Sequence, residues 1–482
     1  MINRIKELEK KAKSLEPDRK ERLTIREKVI EYTENFLENI QNLKAFNENA
    51  GNGKALQDSP ISDTPISIEQ AIRLVEEHVD SPGLNPASGG HLGYIPGGGI
   101  YYSSLGDYMV DITNRFAGIF FTSPGAVRME NMLIEWMGDM IGYPKGFGGN
   151  LTSGGSLANL IGIVTARDAY ELKGKDLEKT VIYASGQMHH CLNKAIRIGG
   201  LKECILRQIT LDSKFRIIPE ALEYQIEEDQ IAGLKPWLVI ASAGTVDVGA
   251  VDPLDELGEL TKKHKLWFHV DGAYGAFFIL CEEGKRILKG IEKSDSVVMD
   301  PHKGLFLPYG TGVILVKDRE KLYNSHYYKA NYMQDALISR EEPSPADHSP
   351  ELTKHFRGMR LWLPLKLFGL APFKAALEEK LWLTRYFYEE IKKIKGFEVG
   401  NYPDLSVVTF RYIPENEDPN DFNEKLVNLI RKDGRVFLSS TILNDQYTIR
   451  LAVLAFRTHL DIINLTLEIL KEKVQLLLNK KN

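Results

Sequence analysis

One stretch, Ser296-Val-Val-Met-Asp300-Pro-His-Lys303-Gly-Leu-Phe-Leu-Pro-Tyr-Gly-Thr-Gly-Val-Ile-Leu-Val316, constrains this chain more than any other. The apolar run Val297 to Met299 leads into a turn carrying Asp-Pro-His-Lys, and a second strand-like run, Gly312 to Val316, closes it. A lysine held at the end of a buried strand sits in low dielectric, which favours its neutral amine. A neutral, positioned amine is what carbonyl chemistry requires. Taken alone, Lys303 reads first as an ordinary surface-turn lysine. Residues upstream change that reading.

The segment Trp267-Phe-His-Val-Asp271-Gly-Ala273 is an apolar strand ending in a carboxylate, followed by small residues. A strand-end Asp opposite a strand-end Lys suits a pyridoxal phosphate site, where the Asp pairs with the protonated pyridine nitrogen and the Lys forms the Schiff base. By itself Asp271 is also a normal turn residue before Gly. Gly149-Asn-Leu-Thr-Ser-Gly-Gly155-Ser156 feeds into an apolar-periodic helix, so free N–H groups at a helix start can bind an anion. The plainer alternative is a Ser N-cap. Between these segments short apolar strands alternate with helices: Val181–Ala184, Cys204–Ile209, Trp237–Ala241 and Leu266–Val270 against Pro219–Glu228 and Leu254–His264. That alternation predicts an α/β fold with a mostly parallel, doubly wound sheet that binds ligands beyond the carboxyl ends of its strands. Gly155, Ser156, Thr245, Asp271 and Lys303 all fall at such ends, so one crevice can collect them.

The remaining chain bounds the answer. Its 482 residues allow two or three domains, and a net charge of -5 gives no basic field for nucleic acid or acidic membranes. No apolar run reaches the roughly 20 residues a membrane span needs. No secretory h-region follows Met1, and Cys191, Cys204 and Cys281 lack metal or disulfide spacing, so a cytoplasmic protein without a metal is expected. His189, His190 and Cys191 are adjacent and do not point together on a helix, which argues against ligation. No GxxxxGK[ST] occurs, which excludes a P-loop on pattern.

Residues 1–104 read as a helical N-terminal arm plus the Gly-rich loop Gly89 to Tyr102, which fits a pocket rim. Residues 105–377 form the large domain, and residues 378–482 a small α+β domain. The arm cannot bury its own faces well, so it packs on the main body or on a second copy. Asn324 to Pro350 is polar and aromatic, and its length suits a lid.

On Asp300-Pro-His-Lys303 preceded by His269-Val-Asp271-Gly-Ala273, the chain resembles the group II pyridoxal phosphate-dependent decarboxylases, from near residue 25 almost to the end. The resemblance implies the fold type I homodimer, with active sites at the subunit interface and the arm wrapped around the partner. It implies that Lys303 is the Schiff-base lysine and Asp271 the partner of the pyridine nitrogen. Ala273 and His189 would cover the two ring faces, and Gly155 and Ser156 would cradle the phosphate. Thr245 lies near the ring and His302 beside the lysine. Tyr332 matches a mobile-loop tyrosine that protonates the carbanion, and Tyr94 and Ile95 match substrate-pocket positions alongside His189.

There are departures. Asp300 stands where the aromatic enzymes carry Asn, and a carboxylate beside a phosphate is repulsive unless turned away or protonated. Gly304 replaces a bulky aromatic, and His190 and Cys191 replace a Ser pair. The expected reaction is decarboxylation of an aromatic or other L-amino acid to an amine and carbon dioxide. The alternatives are an acidic substrate, with Arg357 or Arg360 serving a second carboxylate, an oxidative aldehyde-forming relative in which Phe replaces the loop tyrosine, a carbon–carbon lyase, or a non-catalytic scaffold that keeps the fold.

Overall fold

The computed structural model describes residues 1–48, 51–328 and 342–479. The chain opens with α1 (Ile2–Ala12) and α2 (Arg19–Asn39). A reciprocal capping box between Asp18 and Glu21 starts α2, and neither helix buries a residue. The short strands β1 (Phe46–Asn47) and β2 (Gly83–Leu84) pair antiparallel, with α3 (Ile68–Val75) between them. Next come α4 (Tyr101–Thr113) and α5 (Pro124–Ile141).

The large sheet is built from β3 (Gly148–Thr152), β4 (Thr180–Ser185), β5 (Ile205–Ile209), β6 (Lys235–Ser242), β7 (Trp267–Asp271), β8 (Ser296–Met299) and β9 (Gly312–Val316). The helices α6 (Gly155–Ala169), α7 (His190–Ile198), α8 (Pro219–Ile231), α9 (Leu254–His264), α10 (Glu282–Ile287) and the single turn α11 (Pro301–Gly304) alternate with them. The strand order is β3-β9-β8-β7-β6-β4-β5. Neighbours from β8 to β5 run parallel, and β9 lies antiparallel between β8 and β3. Every residue of β7, β8 and β9 is buried. Helices cover both faces there, so these strands carry continuous apolar runs rather than alternation. Two apolar cores fill the two faces, one around Phe268, Val270 and Val297, the other around Ile161, Ile163 and Val298.

Beyond β9 follow α12 (Arg319–His326), α13 (Gly358–Phe368) and α14 (Ala371–Lys392), which leads into a second, antiparallel sheet. That sheet has β10 (Phe397–Val399), β11 (Val407–Tyr412), β12 (Ser439–Leu443) and β13 (Gln446–Ala452) in the order β10-β11-β13-β12. With α14, α15 (Pro419–Asp433) and α16 (Leu460–Asn479) it encloses its own core around Phe387, Phe410 and Leu426. Asp418 caps the start of α15 through Asn420 and Asp421, and left-handed Gly434 ends it. Among the described residues no helix is long and apolar enough to cross a membrane.

Candidate active site

A cavity of about 370 Å³ opens at the carboxyl ends of the parallel strands. Gly155, Ser156, His189, Thr245, Asp271, Ala273, Asp300, His302 and Lys303 all line it. One end is the start of α6. Its N-cap is Gly154, no side chain caps the helix, and the first turn therefore presents backbone N–H groups to an anion. Gly155 is required there because a Cβ would lie 2.9 Å from Asp300 Oδ2 and 3.2 Å from the Ala273 methyl. Thr245 also lines the cavity and is buried, its hydroxyl oxygen accepting from the Ala250 N–H at 3.1 Å.

The other end is Asp271, the last residue of β7. Its Oδ1 accepts from the Ala273 N–H at 3.1 Å and its Oδ2 from the Asn159 amide at 3.3 Å. His189 caps α7, its Nδ1 accepting from the Cys191 N–H at 3.2 Å, which places its ring proton on Nε2. Burial pushes the His189 imidazole below its usual range against the opposing pull of Asp271. It is a neutral, flat surface facing the cavity.

Lys303 sits on α11, directly after β8, and its charge state corrects the sequence reading. Burial would lower the amine, but the charge and hydrogen bond of Asp300, with Asp271 behind, outweigh it and raise its pKa. Lys303 Nζ lies 3.0 Å from Asp300 Oδ2, so the free side chain is held as an ammonium. Asp300 is turned toward the lysine, and its other oxygen is buried without a hydrogen-bond partner. His302 Nδ1 contacts the Thr311 carbonyl at 2.6 Å, and burial lowers its pKa too.

Other expected residues lie elsewhere. Tyr94 and Ile95 do not line this cavity. Tyr94 is largely exposed at a positive φ of 51°, with its ring against Phe437. Tyr332 lies outside the described residues. Arg357 pairs with Glu351 at 3.1 Å, and Arg360 with Asp107 at 2.7 Å, so both guanidiniums already hold carboxylates of this chain.

The cavity fits pyridoxal phosphate. An uncapped helix start stands at one end and a hydrogen-bonded carboxylate at the other, with a lysine between them. Comparison with known proteins agrees. Residues 54–413 match the pyridoxal-dependent decarboxylase conserved domain. An aromatic-L-amino-acid decarboxylase of Bacillus atrophaeus is 36% identical over 386 residues, covering 79% of this chain and 78% of its own. The chain belongs to the pyridoxal-dependent decarboxylase family. A phenylacetaldehyde synthase of Arabidopsis thaliana is 29% identical over 89% of this chain and 90% of its own. The crystal structure of Oryza sativa TDC with PLP and tryptamine superposes with a TM-score of 0.90 at 22% identity, over 96% of this chain and 99% of that one. The enzyme is thus a pyridoxal phosphate-dependent amino-acid decarboxylase of fold type I.

Three further residues line this cavity without having been assigned a place there from the sequence. Asn159 lies one helical turn after Gly155 and touches Asp271. That i, i+4 spacing was the available signal. Cys191, given no role by the sequence, lines the cavity with its thiol pushed up to about 12 by burial. Tyr309 also lines the cavity, edge-on to His302 with ring centroids 5.8 Å apart. It follows Pro308 in a loop that gave no periodic signal.

Proposed function

We propose that this decarboxylase acts on aromatic L-amino acids, as a cytoplasmic homodimer, with Lys303, Asp271 and His189 as its central residues. When bound, pyridoxal phosphate supplies the carbonyl that takes up the substrate amine and the ring that accepts the electron pair left by departing carbon dioxide. The protein's part is placement and charge. The first turn of α6, with Gly155 and Ser156, binds the phosphate. Asp271 holds a proton on the ring nitrogen, which keeps that ring able to accept electrons. His189 and Ala273, which line the cavity, would flank the ring and exclude water, and Thr245 would lie near it. Lys303 must give up its proton before its amine can react, and Asp300 is the nearest base to take it. Tyr332, assigned from the resemblance alone, would return a proton to the substrate Cα.

The aromatic preference rests on one observation. Among the described residues, the charged ones that line the cavity are Asp271, Asp300 and Lys303, and Arg357 and Arg360 are held by Glu351 and Asp107. A second substrate carboxylate would find no free guanidinium among the described cavity residues and would be repelled by Asp300. An aromatic side chain instead meets Tyr309, Tyr274 and His189. The match to an aromatic-L-amino-acid decarboxylase supports the same choice. The test is carbon dioxide release by the loaded enzyme from L-tyrosine, L-tryptophan, L-phenylalanine and L-DOPA against L-glutamate and L-aspartate. An aromatic preference of roughly 100-fold or more in kcat/KM is expected, the cost of an unpaired buried carboxylate. Preferred turnover of an acidic substrate overturns the reading.

Assembly rests on the arm. Ile2, Ile5, Leu8, Ile25, Val29 and Ile30 are exposed apolar residues on two helices that bury nothing within this chain. A second copy would cover them. Sedimentation should give twice the chain mass, and a monomer would refute the dimer. The cysteines Cys191, Cys204 and Cys281 are buried free thiols, which suits a reducing compartment.

A further inference from the structure

The carboxylate at the ring end of the site is the last member of a buried hydrogen-bonded chain that no part of the reaction scheme has yet used. Trp267, His269 and Asp271 alternate along β7, so all three side chains project on the same face, toward α6. Ser296 on β8 is the register partner of His269. On α6, Gly155, Asn159 and Gly162 are spaced i, i+4, i+7 and share the face toward the sheet.

The contacts fix a direction. Asn159 sends its amide N–H to Asp271 Oδ2 at 3.3 Å, so its carbonyl oxygen is the atom 2.8 Å from His269 Nε2. An amide turned the other way would face its oxygen to a carboxylate. His269 Nε2 must therefore carry the proton and donate it. Its Nδ1 then accepts from the Ser296 hydroxyl at 2.7 Å, and the Trp267 indole N–H donates to that same hydroxyl oxygen at 2.9 Å. His269 and Asn159 are fully buried. Burial pushes the His269 imidazole down to about 4, so it stays neutral near pH 7. Gly162 makes room for the ring, since a Cβ there would lie 2.8 Å from His269 Cε1.

We propose that Asn159 and His269 are positioning residues, which fix the rotamer and the acceptor character of Asp271 so that it holds the proton on the cofactor's ring nitrogen. This rests on the assignment of Asp271 to that nitrogen. The design uses neutral donors. A lysine or arginine at position 159 would also orient the carboxylate, but would compete with the ring nitrogen for its charge. An amide orients it and leaves that charge for the ring. The same helix face thus serves both poles of the site: its N-terminus faces the phosphate and Asn159 faces the carboxylate.

The test compares loaded Asn159→Leu, Ser296→Ala, His269→Leu, His269→Gln and Asp271→Asn with the parent. It reads the ring-nitrogen chemical shift of isotope-labelled bound cofactor, together with kcat and KM. Asn159→Leu should lower kcat roughly 10- to 100-fold with KM changed less than about threefold, the scale of one lost hydrogen bond to a charged acceptor. Its ring-nitrogen shift should move toward the unprotonated value. A glutamine at 269 can accept from Ser296 and donate to Asn159, so His269→Gln should recover much of what His269→Leu loses. A purely structural role would lower thermal stability without moving the nitrogen shift. If Asp271→Asn loses the protonated signal while Asn159→Leu and Ser296→Ala keep it at parental kcat, the positioning proposal is overturned and the site assignment stands. If Asp271→Asn itself keeps the signal, the site assignment fails first. Should Asn159→Leu not fold, Ser296→Ala carries the same comparison, because it removes only a hydroxyl.

Discussion

Replacing Asp300 with Asn should make this enzyme bind its cofactor more tightly. Asp300 is almost fully buried, one oxygen lies 3.0 Å from the Lys303 ammonium, and the other has no partner. Capture of pyridoxal phosphate requires a neutral Lys303, so loading dissolves that ion pair. At 3.0 Å and an effective dielectric of about 20, the gross attraction is about 5–6 kcal/mol. Much of it repays the desolvation of the two groups, and an Asn oxygen can still accept from the amine. A net loading cost of about 1–3 kcal/mol remains, equivalent to roughly 5- to 150-fold in affinity. The substitution also removes a negative charge beside the helix start assigned to the phosphate, an effect of the same sign. Titration of cofactor-free protein with pyridoxal phosphate, followed by visible absorbance across neutral and alkaline pH, measures both terms. The dissociation constant should fall within that range, and the pH midpoint of capture should move down. In the parent, the raised lysine pKa means that its stabilising contribution is complete below the unfolded-state value and is lost only as pH climbs through the folded-state value. The Asn variant should lose that contribution at lower pH. Unchanged or weaker affinity with an unshifted midpoint would refute the ion-pair argument.

Four further outcomes are expected. Gly155→Ala should destabilise the protein to unfolding and weaken cofactor binding, by about 1–3 kcal/mol in all, because the added Cβ overpacks against Asp300 and Ala273 and moves the groups that line the cavity. Equal affinity in a binding titration would count against the cradle. Cys191, with its thiol at about 12, should be only about one part in ten thousand thiolate at about pH 8. Iodoacetamide labelling followed by peptide mass analysis should therefore find it nearly unmodified in the native enzyme. Lys354 lies 2.6 Å from Glu130 with both side chains buried, so Lys354→Met should cost about 3–5 kcal/mol in urea unfolding. Adding Glu130→Leu should recover part of the loss, and an additive loss would argue against a coupled pair. Tyr332→Phe should divert product from amine to aldehyde, as read by product analysis, and unchanged amine yield would remove Tyr332 from the protonation step.

The sequence carried those parts of the site whose chemistry demands a residue type at a strand end. Lys303, Asp271, His189 and the Gly155-Ser156 turn were legible because each lies after a strand-like run or at the start of a helix, and the βα alternation predicts that such positions converge. Charge was harder to read. Burial of a strand-end lysine argued for a neutral amine, yet Asp300 stands three residues earlier on the same turn and reverses the sign. The spacing was visible, but which way the carboxylate turned was set by Gly155 and Gly312, whose missing side chains leave it room against α6 and β9. Asn159 looked like any polar residue in an apolar helix, because its partner lies 112 positions away. Tyr94 and Ile95 were placed by alignment of a glycine-rich loop. Its backbone follows close approaches such as that of Gly97 to the His302 carbonyl, where a Cβ would come within 2.1 Å.

That last contact bears on how the site is held. Gly97 lies against the turn that carries Lys303, and the neighbouring Gly98 carbonyl accepts from Arg457 at 3.1 Å. On the other side of the loop, Arg450 donates to the carbonyls of Tyr94, Val246 and Asp247 and to the Ser439 hydroxyl. It is a buried guanidinium with burial lowering its pKa, and every one of these acceptors is a neutral atom. Its bonds tie Tyr94 and the turn after Thr245 to the antiparallel sheet that carries β13. A rearrangement of that sheet would therefore pull on Val246, which lines the cavity, and on the loop packed against the turn of Lys303. Arg450→Lys keeps the charge but cannot span four acceptors in a fork. It should raise KM more than it lowers kcat, because it loosens the walls and leaves Lys303, Asp271 and His189 in place. A fall in kcat alone would mean that Arg450 acts on the reacting groups rather than on the frame around them.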